Sequence, residues 1–214
     1  DFNLSGALNA GAGTLTILGG SGETIGLDGT TASTTASTVS TICNGTACGL
    51  TLVQSELSDI SAAKLVIGDS SSGKMYIDGV TLSHISGGVT LNSSGSNGSV
   101  EFGAGGATIK LGTINAGNGI TINGDVSAQS VIFNADYDAN GTGTLAIASG
   151  YDITSTDNQS ISITANDIDI YSLATISSGT GSTTIAVSDG GTIGLGGTSG
   201  NMTITAGELG RVTA

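Results

Sequence analysis

The chain repeats part of its own sequence near its two ends. The sequence TIGL at 24–27 recurs 168 positions later at 192–195, and Glu56-Leu57 recurs 152 positions later as Glu208-Leu209. The two offsets differ because the later copy lacks the Ser/Thr-rich stretch that separates the two motifs in the earlier one. Repeats of this kind are typical of elongated, stacked architectures rather than of a closed enzyme domain.

The position of the repeats predicts the organisation of the chain. We expect one continuous repeat segment over residues 1–214, with a side insertion at about 30–49 and a partial second repeat at 192–214. A chain that restarts an earlier pattern in this way is expected to be a window on a longer tandem array.

The composition favours stacked strands with tight turns. Aromatic residues make up 3% and charged residues 10% of the chain, which has 37 Gly and neither Pro nor Trp. The mean hydropathy of +0.27 and the recurring Ile, Val and Leu runs argue against disorder. Gly supplies the dihedral angles of tight turns, whereas Thr, Ile and Val fit a pleated surface.

The net charge restricts the partners. Four Lys and Arg against 17 Asp and Glu give −13 at pH 7, so the surface would repel the phosphates of nucleic acid and attract divalent cations. No run of 18 apolar residues occurs, and we therefore expect no membrane span in this segment.

Short runs with alternating apolar residues recur along the whole chain, each bounded by Gly, Asn, Asp or Ser, as strands require. They lie at 14–17, 64–67, 74–77, 89–91, 108–111, 120–122, 130–133, 144–147, 160–163, 184–187 and 202–204. The apolar phase changes once between neighbouring runs, from Ile161 and Ile163 to Ile168 and Ile170, which predicts a bend between two inward-facing strands.

These patterns predict an all-β fold, a parallel β-solenoid of about ten coils at roughly 20 residues per coil. An antiparallel β-sandwich is the alternative, because regularly spaced short strands fit it as well. The scarcity of two-residue hairpin signals and the internal duplication favour the solenoid.

The segments at 56–69 and 73–77 resemble the E-L-x-x-I-x-A-x-x-L-x-I-G repeats of very large filamentous-haemagglutinin-like proteins. The segments at 134–145 and 163–170 are similar to other parts of such arrays. The resemblance implies a right-handed parallel β-helix, export by a two-partner or related route, and display on the cell surface for adhesion. Its expected partner is a receptor or glycan on a host or neighbouring cell.

Two cysteines lie close together in the insertion. Cys43 and Cys48 are expected to form a small disulfide, because a metal site would need further ligands and none is near in sequence; two reduced thiols are the alternative. We expect the insertion to project sideways, which makes Asn44, Gly45 and Thr46 the candidate contact loop.

The spacing of Asp136, Asp138 and Asn140, followed by Gly141, is that of the first half of an EF-hand calcium loop. The closing Glu of that motif is absent, because Ile147 stands at its position. A calcium site is one interpretation, and a polar loop held by local turn hydrogen bonds is the other.

Other polar residues give weaker signals for catalysis. Asp167 and Asp169 could form an acid–base pair for a glycosidic bond, but solvated outward carboxylates explain them better. His84 is unique and is expected at an exposed turn. No other cofactor is indicated.

We therefore expect a non-catalytic segment of a long extracellular fibre, adhesin-like and at the cell surface. The alternatives are a self-assembling filament or sheath subunit and, more remotely, a polysaccharide-acting β-helix enzyme.

Overall fold

The computed structural model describes residues 4–29, 43 and 48–214, which contain twenty β-strands, two short α-helices and a 3-10 turn at Ser188–Gly190. The elements of the first half are β1 (Leu8–Ile17), β2 (Ile25–Asp28), β3 (Leu50–Val53), α1 (Gln54–Ser58), β4 (Ile60–Ile67), β5 (Met75–Asp78), β6 (Val80–Leu82), β7 (Val89–Ser93), β8 (Val100–Phe102) and β9 (Ala107–Ala116). Those of the second half are β10 (Ile120–Ile122), β11 (Val126–Asn134), β12 (Thr144–Ile147), β13 (Asp152–Ser155), β14 (Ile161–Ala165), β15 (Asp167–Ile170), β16 (Thr175–Ser177), β17 (Thr183–Val187), β18 (Ile193–Leu195), β19 (Met202–Ile204), α2 (Ala206–Leu209) and β20 (Val212–Thr213).

The strands form long parallel sheets. The first sheet has eleven strands, with the main order β1-β4-β7-β9-β11-β13-β16-β20, and β6, β14 and β17 join its sides. The second sheet has seven strands in the order β15-β12-β10-β8-β5-β2-β3, and β18 pairs with β19. Every strand pair in the described residues is parallel, so the predicted all-β class with parallel sheets is confirmed and the antiparallel sandwich is wrong.

The pairing register repeats at short, nearly constant intervals. In the second sheet Met75 is level with Val100, Val100 with Ile120, Ile120 with Leu145, and Leu145 with Ile168, at intervals of 20–25 residues. Between two such strands the chain runs through the first sheet, because parallel neighbours cannot be joined by a hairpin.

The inward side chains of both sheets pack into one continuous apolar cluster that runs the length of the stack. The predicted change of phase is confirmed, since Ile161, Ile163, Ile168 and Ile170 are all at most 2% exposed. Burial of each such side chain contributes about 1.5–3 kcal/mol. The sheets thus face a shared interior, which is filled mainly by Ile, Leu and Val, with Phe102 and Phe133 as its aromatic residues.

Glycines turn the chain between the two sheets where a side chain would not fit. Gly106 has a φ of +64°, and a Cβ atom there would lie 2.0 Å from the carbonyl oxygen of Asp125. Gly79 has a φ of +71°, and its N–H donates to the carbonyl oxygen of Gly106 at 2.8 Å. Because these glycines occupy the same corner in successive layers, the corner can be tight.

One outward row of the first sheet consists only of hydroxyl residues. We call it the hydroxyl row; each member is level with the next one across paired strands. Its members are Thr81, Thr108, Ser127, Thr154, Ser177 and Thr213. The row marks the stacking direction, since adjacent strands are about 4.8 Å apart.

The duplicated sequences form the same local structure twice. The first unit is β2, β3 and α1, and the second unit is β18, β19 and α2. In each unit two parallel strands pair through equivalent residues, with Ile25 level with Leu50 and Ile193 level with Met202, and a helix of four or five residues follows.

Candidate functional site

The structure places the predicted calcium residues in the loop that follows β11. Asp136 is 2% exposed. Its carboxylate accepts hydrogen bonds from the N–H groups of Asn140 and Gly141 at 3.3 and 3.1 Å, and from the Ser188 hydroxyl at 2.5 Å. This buried carboxylate therefore ties its own loop to the turn at Ser188–Gly190, which lies 52 residues later.

The other two predicted ligands lie on the outside of the same loop. Asn140 Nδ2 donates to Asp138 Oδ2 at 2.9 Å, and both residues are exposed. Within the described residues, no group of three or more His, Cys, Asp or Glu side chains is arranged to hold a metal ion. The hydrogen bonds match the local-turn interpretation, and the calcium site stays a prediction.

The disulfide between Cys43 and Cys48 is present, with the two Cα atoms 5.6 Å apart. Cys43 is buried, with 2% of its surface exposed. The bond fits an oxidising compartment. Asn44, Gly45 and Thr46, the predicted contact loop, lie outside the described residues.

The paired carboxylates at Asp167 and Asp169 are half-buried on the outside of β15. Asp167 Oδ1 accepts the N–H groups of Ile168 and Thr203, each at 3.0 Å. The pKa of Asp169 is raised, mainly by burial and then by the negative charges of Asp167 and Glu208. The Asp167 carboxylate therefore accepts backbone N–H groups from both β15 and β19, and it helps to hold β19 beside β15.

Among the described residues, an ion pair lies further along the same outer surface. Lys74 Nζ is 2.5 Å from Glu101 Oε2 and 4.5 Å from the ring centre of Tyr76. Burial opposes the charge of Lys74, but the hydrogen bond and charge of Glu101, together with Tyr76, outweigh it and raise the lysine pKa. A half-exposed surface pair of this kind contributes about 1 kcal/mol or less.

His84 lies at an exposed turn, as predicted. Its Nε2 is 3.1 Å from the carbonyl oxygen of Leu57, the buried leucine of α1. The histidine thus connects the turn after β6 to the first unit.

The two glutamates of the repeat, Glu56 and Glu208, make equivalent hydrogen bonds, which the sequence repeat did not reveal. Glu56 accepts the N–H of Val53 through Oε2 and that of Leu4 through Oε1. Glu208 accepts the N–H of Thr205 through Oε2 and that of Ile170 through Oε1. Each carboxylate therefore joins the start of its helix to another part of the chain. The T-x-x-E spacing from Thr205 to Glu208 is a capping-box signal that could have predicted the second helix.

Exposed apolar side chains gather in the second unit. Ile193 and Leu195 on β18 are 41% and 56% exposed, and Leu209 on α2 is 51% exposed. We call these three residues the end surface. β18 has β19 as its only strand partner among the described residues, so its other edge is open. Open apolar edges of this kind are sites of further strand pairing.

Within the described residues, no helix has the length and apolar character that crossing a membrane would require. Comparison with protein-family models, with curated proteins and with solved structures gives no match.

Proposed function

We propose that this chain is a segment of a right-handed parallel β-solenoid that serves as a stiff, non-catalytic part of an extracellular surface fibre. One observation carries the proposal: equivalent strands recur at intervals of 20–25 residues, in parallel register, over a single apolar interior. A chain that winds coil upon coil produces this pattern, and right-handed connections are the rule for parallel strands.

The winding supports a mechanical role. Each coil adds about 4.8 Å along the axis, and every coil is held by its neighbours through backbone hydrogen bonds and apolar contacts. Such a rod holds whatever is attached to it at a distance from the cell surface. The net charge of −13 keeps parallel rods apart, because like charges repel at short range.

The disulfide supports an extracellular location, and the resemblance to filamentous-haemagglutinin-like repeats supports an adhesin-like role. In this proposal the partner is a receptor or glycan on another cell, and the contact loop at Asn44, Gly45 and Thr46 meets it.

Attachment of coated beads to cells tests this function. Beads that carry the chain should attach, and beads that carry an Asn44→Ala/Thr46→Ala variant should attach less. Beads with an Asp157→Asn variant, altered at an exposed turn distant in sequence from the loop, serve as the control. Equal attachment of all three would contradict the contact loop, and no attachment above uncoated beads would contradict the adhesin role.

A self-assembling filament or sheath subunit is the second candidate, and the end surface is the observation that favours it. Open strand edges with exposed Ile193 and Leu195 can add further strands. Electron microscopy separates the two functions: separate rods of fixed length support the fibre segment, whereas growing filaments with helical order support the sheath.

A further inference from the structure

The end surface of the second unit has an equivalent in the first unit that is fully covered. Ile25 and Leu27 of β2 match Ile193 and Leu195 in sequence, and Leu57 of α1 matches Leu209. The three residues of the first unit are each 0% exposed, whereas those of the end surface are 41–56% exposed. The same side chains at equivalent positions thus differ only in what lies against them.

The cover of the first unit is the part of the chain that follows it, residues 60–82. β5 pairs with the edge of β2 that β18 leaves open, with Ile25 level with Met75 and Leu27 level with Ile77. The N–H of Ile25 donates to the carbonyl oxygen of Lys74 at 3.0 Å.

β6 covers the helix of the first unit. Gln54 of α1 donates to the carbonyl oxygen of Thr81 at 3.0 Å and accepts the N–H of Thr81 at 2.7 Å. These two bonds hold β6 beside α1, as the contact of His84 with the Leu57 carbonyl oxygen also does.

From this equivalence we propose that the end surface is a docking face for a coil. This coil has side chains like those of residues 60–82 and is supplied by a further copy of the same repeat. The inference rests on the proposed solenoid winding. A strand equivalent to β5 pairs with β18, and its two inward side chains, at the positions of Met75 and Ile77, cover Ile193 and Leu195. The coil also covers Leu209, as it covers Leu57 in the first unit.

A whole second chain that docks by its opposite end fits this face less well. At that end the outer strand of the second sheet is β3, and its residues Leu50 and Leu52 are 9% and 0% exposed. Among the described residues, β3 therefore offers no exposed apolar side chains to match the end surface, whereas a coil with free Met and Ile side chains supplies them.

The second unit lacks the side chain that binds β6 in the first unit. Gln54 corresponds to Ala206, so α2 lacks the amide that holds β6 in the first unit. Docking on the second unit therefore depends on the strand edge and the apolar contacts, and Ala206→Gln should strengthen it.

An extended chain tests the proposal. Residues 63–91 are appended directly after Ala214, because Ala62 corresponds to Ala214 in the repeat. Amide hydrogen exchange at Ile193 should slow at least about tenfold relative to the 214-residue chain, since its N–H gains the partner that Ile25 already has. The matched control carries Met75→Asp and Ile77→Asp in the appended coil only and should leave the Ile193 exchange unchanged.

Two results would overturn the proposal. The first is fast exchange at Ile193 in the extended chain, whether or not the appended residues become protected themselves. The second is a dimer of the 214-residue chain that slows Ile193 exchange as concentration rises, because the occupant would then be a second whole molecule. Exchange at Ile25 reports on the winding separately: fast exchange there in every variant would contradict the proposed function rather than the docking face.

Discussion

The two units of this chain share a sequence pattern and a local structure, yet one is covered and the other is open. Leu57 is 0% exposed in the first helix, and the matching Leu209 is 51% exposed in the second. In a parallel sheet a side chain is buried partly by the strands beside it, so the neighbours of a unit decide what its residues contribute.

The two helices are also held in different ways. Glu208 and Thr205 complete a reciprocal capping box in the second unit, in which the Thr205 hydroxyl accepts the N–H of Glu208 at 3.2 Å. Val53 stands at the matching position of the first unit and offers no side-chain cap, while Gln54 there holds β6 instead. Each glutamate still binds another part of the chain, but only the covered helix has a side-chain bond to β6, and only the open helix has a hydroxyl cap.

The largest effect should come from truncating the matched leucines. Leu57→Ala should destabilise the chain by about 2–5 kcal/mol, because it leaves a cavity in the continuous interior. Leu209→Ala should cost less than about 0.5 kcal/mol, as exposed positions do. Urea unfolding of both variants measures the difference. Equal losses of stability would contradict the difference in burial between Leu57 and Leu209.

Breaking the disulfide should have the next largest effect, and it should act on the first unit alone. The bond closes a loop with a sequence separation of 5 residues, for which chain entropy gives about 2 kcal/mol. A Cys43→Ser/Cys48→Ser variant should show faster amide exchange in β2 and β3 and unchanged exchange in β18 and β19. Faster exchange throughout the stack would mean that the insertion holds more than its own unit.

Loss of the helix cap should be a smaller effect that is confined to the second unit. Thr205→Val should cost about 1 kcal/mol, since the N–H of Glu208 loses its acceptor. Thr203→Val, on the outward side of the adjoining strand β19, keeps the backbone bond to Asp167 and serves as the control. If both variants unfold at the same urea concentration, the hydroxyl cap does not hold α2.

Most of the strand pattern was predictable because inward Ile, Val and Leu residues alternate regularly, even across the bend between Ile163 and Ile168. The helices were not predicted, since four or five residues give no helical periodicity. The difference between Leu57 and Leu209 is absent from their local sequences, because it depends on residues 60–82 lying against one of them. The hydrogen bond from Ser188 to Asp136 joins residues 52 positions apart and left no local signal either.

The smallest effect should be a pH dependence at Asp169, which lies beside Glu208 of the second unit. Its pKa is raised in the folded chain by burial and by the charges of Asp167 and Glu208. Folding therefore favours the protonated carboxyl group of Asp169. The stability that this preference contributes is lost as pH rises through the raised pKa.

Asp169→Asn keeps this position neutral at every pH. Its Tm should exceed that of the unaltered chain slightly at pH 7 and match it at about pH 3, below the usual aspartate pKa of about 3.9. Thermal unfolding at the two pH values measures this. A lower Tm at pH 7 would show that the Asp169 carboxylate stabilises the fold.

Distances along the hydroxyl row test the winding most directly. One spin label is placed at Thr81 and a second at Thr154, Ser177 or Thr213 in turn, with the Cys43–Cys48 disulfide kept intact. If the chain winds coil upon coil, the distance should grow by about 5 Å per step, from about 14 Å at Thr154 to about 24 Å at Thr213. Distances that fail to increase in this order would contradict a chain wound coil upon coil.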